Sequence, residues 1–310
     1  MLSVGSRLAI HGAVLVAVLG AIACGSKGDV TPPPTQTSRP RSPTIGECER
    51  AAAPPEKVAI VPHGERLDGV IEPLRDALMK AIDHAAAPYG WTPAEPVCIH
   101  VFPGDAGFVG GLERLGGFDK ANAKSYQTFF GTIGIDIASG RDAIYLNASF
   151  PDRTPFLVTH EFFHIVQMHV AGTGGGSQDG FPTWFLEGVA DWEALKLQEA
   201  PLANWLAVLK SEQRAGRAPA LSSLVSWDQW RRTLDSGNPA VPTAGYNKAR
   251  AAVLFLEEIA GPEAPRRILR GIPGGNLTRF EAIFREVAGL SLPEFETRLD
   301  AFLAESPSAE

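Results

Sequence analysis

Two histidines and one glutamate near residue 160 have the residue types and the spacing to hold a metal ion. His160, Glu161 and His164 form an HExxH pattern inside a stretch, 155–172, that is predicted to be a helix. At 100° per residue the two imidazoles lie about 40° apart on one helix face, so both can reach a single ion. The opposite face is apolar, which predicts a buried helix whose polar groups need partners: a metal ion, or side chains that satisfy two packed histidines. The apolar residues are Val158, Phe162, Ile165 and Val166.

A third ligand has to come from another part of the chain, and the segment 182–192 offers two carboxylates. If this segment is a helix that begins at its proline, Glu187 and Asp191 fall on one face of it. Gly188 costs about 1 kcal/mol relative to alanine inside a helix, which indicates close packing, and we expect that packing to be against the HExxH helix. The alternative interpretation is a solvated acidic face.

The two segments together resemble the gluzincin metallopeptidases, specifically their peptidase MA-like branch. The resemblance consists of HExxH at 160–164 and WxxEGxAD at 184–191, and it is specific over residues 155–195. It implies a zincin-like fold and a zinc-dependent peptidase. It also implies that an extended peptide pairs with an edge strand beside the zinc, which here would be 143–150, so an endopeptidase is expected. No GxMEN-type motif is present, and an aminopeptidase is therefore not supported.

The resemblance also assigns roles to single residues. It implies that zinc is bound by His160, His164 and Glu187, and that Glu161 is the general base that removes a proton from water. Asp191, four residues beyond the third ligand, corresponds to an acid that often orients a metal-bound histidine. With three protein ligands, zinc keeps a fourth position open and lowers the pKa of water to about 7.

Attack on a peptide carbonyl creates an oxyanion that needs a second donor besides the metal ion. Gluzincins often place a tyrosine or histidine on a downstream helix for this purpose. Tyr246 stands at the start of the predicted helical run 247–260 and is our candidate. Arg250, one turn later, is a rival donor, and a purely structural role for the tyrosine is an open alternative.

The elements that must position these residues predict an α+β fold. A small αβ portion, 48–152, is followed by a mainly helical portion, 153–310, that carries the zinc motif. The glycine-rich stretch 104–117 has no phosphate-binding pattern, and we expect a flexible loop there. The other predictions for the αβ portion are strands at 57–61 and 97–102, a helix at 69–87, and a hairpin over 132–138 and 143–150.

The N-terminal region predicts export and a lipid anchor. Residues 1–23 carry an early cation and then a short apolar stretch, which is typical of a signal peptide. The sequence that ends at Cys24 resembles the lipobox of bacterial lipoproteins, in which the cysteine is acylated; the alternative is an ordinary cleaved signal. Residues 24–47, rich in Pro, Ser and Thr, are expected to form a disordered tether. Because Gly25 rather than aspartate follows the cysteine, the outer membrane or cell surface is favoured over the inner membrane of the bacterial envelope.

The chain has three cysteines. If Cys24 carries lipid, Cys48 and Cys98 remain as an even pair in an oxidising compartment, which predicts a disulfide between them. Closing a loop of roughly 50 residues would stabilise the fold by about 3 to 4 kcal/mol in the chain-entropy model. Two unpaired thiols are the alternative.

Length and charge limit the classes of function. The chain has 310 residues, 45% of them hydrophobic and 20% charged, as in an ordinary folded protein. It has 28 lysines and arginines against 35 acids, a net charge of −7, so nucleic acid is excluded as an expected partner. The expected partners are a peptide or protein substrate and a lipid membrane. Besides a zinc peptidase, a non-catalytic binding or adhesion lipoprotein and a non-peptidase zinc hydrolase stay open.

Overall fold

The computed structural model describes residues 48, 57–65, 67–115, 135–136, 142–149, 154–172, 180–198, 202–234, 240–272 and 277–305. The predicted signal peptide, the tether and Cys24 lie outside these residues. In the described ranges, no helix has the length and apolar character needed to cross a membrane.

The protein combines helices and strands and is mostly helical. The described strands all precede residue 148, and the helices from α3 onward follow one another without an intervening strand in the described ranges. The strands are β1 (Val58–Pro62), β2 (Val97–Phe102), β3 (Ile135–Asp136) and β4 (Ala143–Asn147). The helices are α1 (Asp68–Ala86), α2 (Asp105–Leu115), α3 (Thr154–Val170), α4 (Thr183–Leu197), α5 (Leu202–Arg214), α6 (Trp227–Leu234), α7 (Ala240–Ala260), α8 (Ala264–Gly271), α9 (Leu277–Ala288) and α10 (Leu292–Ala304).

The strands form one small sheet in the order β1-β2-β4-β3. β1, β2 and β4 are parallel, and their near-continuous apolar sequences fit a parallel sheet that is covered on both faces. β3 is antiparallel to β4, and among the described residues it pairs with Ala143 and Ile144, which confirms the antiparallel pairing of the predicted hairpin at these positions. β4 is therefore the last strand of the parallel part, and it leads into α3, which packs against it.

The prediction of a flexible loop at 104–117 is wrong, because α2 occupies most of that stretch. Phe108, Leu112 and Leu115 recur at helical spacing and are buried, so tertiary packing compensates for the low helix propensity of the glycines. Gly111 faces the ring of Phe102, and a Cβ atom there would lie 2.2 Å from it. This glycine therefore permits close packing of the helix on the sheet.

The predicted disulfide between Cys48 and Cys98 is confirmed, with Cα atoms 5.8 Å apart. It joins β2 to a segment that precedes β1, so the crosslink closes the first part of the sheet. Both cysteines are buried.

The helical part has its core around α4, which packs against α3 on one side and α7 on another. α4 is buried over nearly its whole length. α9 and α10 cover it with an aromatic cluster, and Ser291 begins α10 with a capping box formed with Glu294. The cluster consists of Trp184, Phe280, Phe284 and Phe295.

Candidate metal centre

The helix that would carry the later acids begins where the sequence places it. Pro182 has extended backbone angles and precedes α4, whose interior follows with helical geometry. The backbone N–H groups of Thr183 and Trp184 donate to the carbonyls of Val225 and Leu224. These two bonds satisfy donors that a helix N-terminus leaves unpaired, and they fix α4 relative to the segment before α6.

The three predicted ligands converge at one point between α3 and α4. The Nε2 atoms of His160 and His164 lie 3.1 Å apart. The carboxylate of Glu187 lies 3.5 Å from the first of them and 3.7 Å from the second. Ligand atoms about 2.0–2.1 Å from a tetrahedral zinc ion would be about 3.3 Å from one another, so the three groups are spaced for such an ion.

Each imidazole is held by a partner on its other ring nitrogen. Nδ1–H of His160 donates to Asp191, at 2.8 Å, and Nδ1–H of His164 donates to the amide oxygen of Gln167, at 3.0 Å. The amide nitrogen of Gln167 donates in turn to the carbonyl of Leu186, at 2.8 Å, which fixes which end of the amide faces the ring. Both Nε2 lone pairs therefore point into the shared space, as metal-binding histidines require.

The two glutamates supply the test of whether a cation fits. All four carboxylate oxygens of Glu161 and Glu187 are buried without a hydrogen-bond partner in the described residues. A buried acceptor that is left unsatisfied costs about 1–3 kcal/mol, and more when it is charged. A divalent cation between these groups would compensate the carboxylates and accept both Nε2 lone pairs, so the donor set fits a metal ion. Two histidines and one glutamate form a ligand set found in catalytic zinc sites.

The buried charges shift one another's protonation. Burial raises the pKa of Glu161 to about 8, although the nearby His160 opposes this shift. Burial lowers the pKa of His164 to about 4. Burial also disfavours the cation of His160, but the hydrogen bond to Asp191 and the nearby carboxylate of Glu187 outweigh it and raise its pKa to about 10. In the metal-free protein, a proton on His160 therefore compensates part of the negative charge of the neighbouring carboxylates.

Arg250, the predicted rival donor, contacts Asp191. Its Nη2 atom donates to Oδ2 of Asp191 at 2.7 Å, and its guanidinium group lies 5.0 Å from the centre of the Trp205 ring. Burial would raise the pKa of Asp191, but this arginine and the hydrogen bond from His160 hold it below its usual range. The structure thus gives the predicted rival donor another task, which is to keep Asp191 ionised.

Tyr246, the predicted oxyanion donor, lies beside the metal ligands. Its ring centre is 6.5 Å from that of His160, and its hydroxyl is buried without a hydrogen-bond partner in the described part of the chain. Trp230 packs edge-on against it at 4.8 Å. Burial, with Glu187 and Asp191 nearby, raises the pKa of the tyrosine well above its usual value, so the hydroxyl keeps its proton.

No protein-family model matches the chain, and no curated protein matches it. The gluzincin resemblance therefore remains a prediction.

The expectation for Gly188 is wrong in its direction. A Cβ atom on this residue would lie 2.4 Å from the carbonyl oxygen of Ala249, so the glycine allows close approach of α7 and not of α3. The close approach still serves the site, because Tyr246 and Arg250 are both on α7. Gly188 thus lets α7, with Tyr246 and Arg250, lie close to α4.

Two positioning contacts were not predicted from the sequence: that of Gln167 with His164 and that of Arg250 with Asp191. Gln167 is a polar residue in an otherwise apolar helix, three positions after His164, and that spacing was a usable signal. The contact between Arg250 and Asp191 joins residues 59 positions apart and had no local signal.

Proposed function

We propose that the protein is a zinc-dependent peptidase that cleaves within polypeptide chains. The proposal is carried by the four oxygens of Glu161 and Glu187, which are buried and have no hydrogen-bond partner in the described ranges, beside the paired Nε2 atoms of His160 and His164. One carboxylate completes a set of three protein ligands, which leaves a coordination position open, as is typical of catalytic and not structural zinc. The other carboxylate is left for chemistry.

When bound, a zinc ion would supply a Lewis acid that polarises a carbonyl group and makes water more acidic. Glu161 would accept a proton from the attacking water and pass it to the departing amine. Its carboxylate lies 3.9 Å from Nε2 of His160, beside the position that the ion would take.

Tyr246 would donate a hydrogen bond to the substrate oxygen as negative charge develops there. Its hydroxyl has its proton and no competing acceptor among the described residues, so a substrate oxygen would be its first partner. Asp191 would keep the ring of His160 in place, and Gln167 would do so for His164.

The substrate would be an extended peptide that lies along β4. The gluzincin resemblance implies such pairing, β4 precedes α3 in the chain, and among the described residues β3 pairs with Ala143 and Ile144. Such pairing depends little on side-chain identity and fits cleavage of unfolded proteins.

Zinc analysis and hydrolysis assays test the proposal together. The purified full chain is expected to bind one zinc ion and to cleave unfolded proteins, with products identified by mass and cleavage abolished by a chelator. Glu161→Gln should keep zinc while hydrolysis falls by about 10²–10⁴-fold. His164→Ala should lose both, and serves as the metal-binding control.

Each failure has a separate meaning. A folded protein without zinc would contradict the metal site, and zinc without hydrolysis of any substrate would favour a binding or adhesion lipoprotein. Cleavage of esters or other non-peptide substrates alone would favour a different class of zinc hydrolase.

We also propose that acylated Cys24 anchors the protein to a membrane of the bacterial envelope. The support is the sequence that resembles a lipobox and the Pro-rich segment that follows it. Metabolic labelling with a fatty-acid analogue should mark the wild-type chain and not Cys24→Ala. An unlabelled wild-type chain in the soluble fraction would contradict the anchor.

A further inference from the structure

A second buried cluster of metal-binding residue types lies on β2, in the αβ part of the protein. Cys48, Cys98 and His100 each offer one ligand atom, and these three atoms lie within 4.8 Å of one another. All three side chains are buried. Cys98 and His100 are two residues apart on one strand, so they face the same side of the sheet.

The distances suit an ion held by sulfur and nitrogen. Nε2 of His100 lies 3.4 Å from the sulfur of Cys98 and 3.8 Å from the sulfur of Cys48. With zinc–sulfur bonds of 2.3 Å and zinc–nitrogen bonds of 2.0–2.1 Å, a tetrahedral ion would place sulfur and nitrogen about 3.6 Å apart. In the disulfide form, the distances from Nε2 of His100 to the two sulfurs are thus already close to those between ligands of one ion.

His63 prepares His100 for this role. Its Nε2 atom lies 2.7 Å from Nδ1 of His100. When Nδ1–H of His100 donates to His63, the lone pair on Nε2 points at the sulfurs, which is the arrangement of a metal-binding histidine held by an outer partner. Both rings are fixed by stacking, that of His63 on Phe102 at 4.5 Å and that of His100 on Tyr145 at 5.2 Å. His63 itself is half-buried and reaches toward the surface.

A structural disulfide alone does not account for the imidazole. Disulfide sulfur is a weak acceptor, and an apolar side chain would pack against it without the cost of burying a polar ring. In the described residues, Nε2 of His100 has the two sulfurs as its hydrogen-bond partners. A ring nitrogen aimed at two sulfurs is instead a ligand arrangement from which the ion is excluded by the sulfur–sulfur bond.

We propose that reduction of the Cys48–Cys98 disulfide opens a binding site for a thiophilic metal ion, with the two cysteines and His100 as ligands. A dithiol reductant supplies two electrons and two protons, its own thiols become a disulfide, and the bond between Cys48 and Cys98 breaks to give two thiols. Binding of Zn²⁺ or a similar ion then displaces the two thiol protons, because the thiolate is the ligand. This site is independent of the HExxH centre and of the proposed peptidase activity.

Cobalt distinguishes the two sites, because only this one contains sulfur. The experiment uses the full chain with His160→Ala and His164→Ala, which removes the histidine ligands of the other centre. Co²⁺ is added before and after reduction with a phosphine, which leaves no competing thiol. The oxidised chain should bind none at this cluster, and the reduced chain should bind one ion with an intense thiolate-to-cobalt charge-transfer band.

Two variants in the same background serve as controls, with folding followed by near-ultraviolet circular dichroism. Cys48→Ser combined with Cys98→Ser removes both the crosslink and the thiolates and should show no band. His100→Gln keeps the disulfide, and after reduction it should bind cobalt at least tenfold more weakly. A reduced chain that stays folded without the band, or an unchanged affinity in His100→Gln, would overturn the proposal. If reduction unfolds the chain, added Zn²⁺ must restore the dichroism signal, and failure to do so would overturn it as well.

Discussion

Helix α4 carries two buried glutamates, and their surroundings differ completely. Glu193 accepts hydrogen bonds from His84 at 2.7 Å, Tyr89 at 2.9 Å and Lys196 at 3.2 Å. Burial would raise its pKa, but the bonds from His84 and the charge of Lys196 hold the pKa below its usual value. Glu187, equally buried, has no hydrogen-bond partner in the described part of the chain.

The difference in hydrogen-bond partners distinguishes a carboxylate that the fold itself compensates, Glu193, from one that is placed to contact a cation, Glu187. Glu193 is compensated by side chains from α1 and α4, so its charge belongs to the folded protein itself. Glu187 faces the two imidazoles of α3, where a proton on His160 compensates its charge in part and a bound cation would add to that compensation. Burial alone therefore does not distinguish the two acids; the presence or absence of hydrogen-bond partners among the described residues does.

The largest expected effect concerns metal binding. Glu187→Gln removes a ligand charge and should weaken zinc binding by more than about 100-fold, with loss of hydrolysis. Glu193→Gln, the matched change on the same helix, should leave zinc affinity nearly unchanged. Competition with a chromophoric chelator measures both variants. Equal losses in the two would mean that the contrast between the glutamates has no functional content.

The same pair should behave in the opposite way in unfolding experiments without metal. Glu193→Gln breaks a buried, fully paired network and should lower the free energy of unfolding by roughly 3 kcal/mol. Glu187→Gln removes a buried carboxylate that has no hydrogen-bond partner among the described residues, and it should leave metal-free stability unchanged or raise it. Urea unfolding in the presence of a chelator decides this. A large loss of stability in Glu187→Gln would indicate a structural role for that residue.

Helix geometry alone was enough to predict which side chains of the candidate site share a helix face. His160 and His164 share a helix face because they are four residues apart, and Glu187 and Asp191 share another for the same reason. The partners of Glu193 could not be predicted, since His84 is 109 positions away and only the packing of α1 brings it close.

Glycines were the least reliable signal in the sequence. The glycine-rich stretch before residue 117 indicated a loop, but contacts with the sheet make it helix α2. Gly188 correctly indicated close packing, although against α7 and not α3. In both places the glycine indicates that another element packs closely against the backbone. Which element this is depends on the tertiary structure.

A smaller effect is expected from the residue that orients His160. Asp191→Asn should weaken zinc binding by about 10–100-fold, because the amide is a poorer acceptor for Nδ1–H and leaves Arg250 without its ionic partner. Gln167→Leu, which removes the acceptor for Nδ1–H of His164, is the complementary change and should weaken binding by no more than a similar factor. Zinc titrations of both variants provide the comparison. An unaltered affinity in Asp191→Asn would show that ring orientation is fixed by packing alone.

The smallest effect is the number of protons released when zinc binds, which tests the protonation of the metal-free site. The pKa of His160 is raised to about 10 in the metal-free site, so at pH 7 this ring carries a proton that zinc must displace. The pKa of Glu161 is raised to about 8, so part of its proton should leave as well, whereas His164, with a pKa lowered to about 4, has none to release. Zinc binding at pH 7 should therefore release between about one and two protons, and affinity should fall as pH falls.

Calorimetry in buffers with different ionisation enthalpies measures that count directly. The Glu193→Gln variant should release the same number of protons as the wild type, because its network does not contact the ion. A binding enthalpy that does not depend on the buffer would mean that His160 is already neutral before zinc arrives. The hydrogen bond to Asp191 would then orient the ring without charging it, and metal affinity would depend on pH only below the pKa of a free histidine.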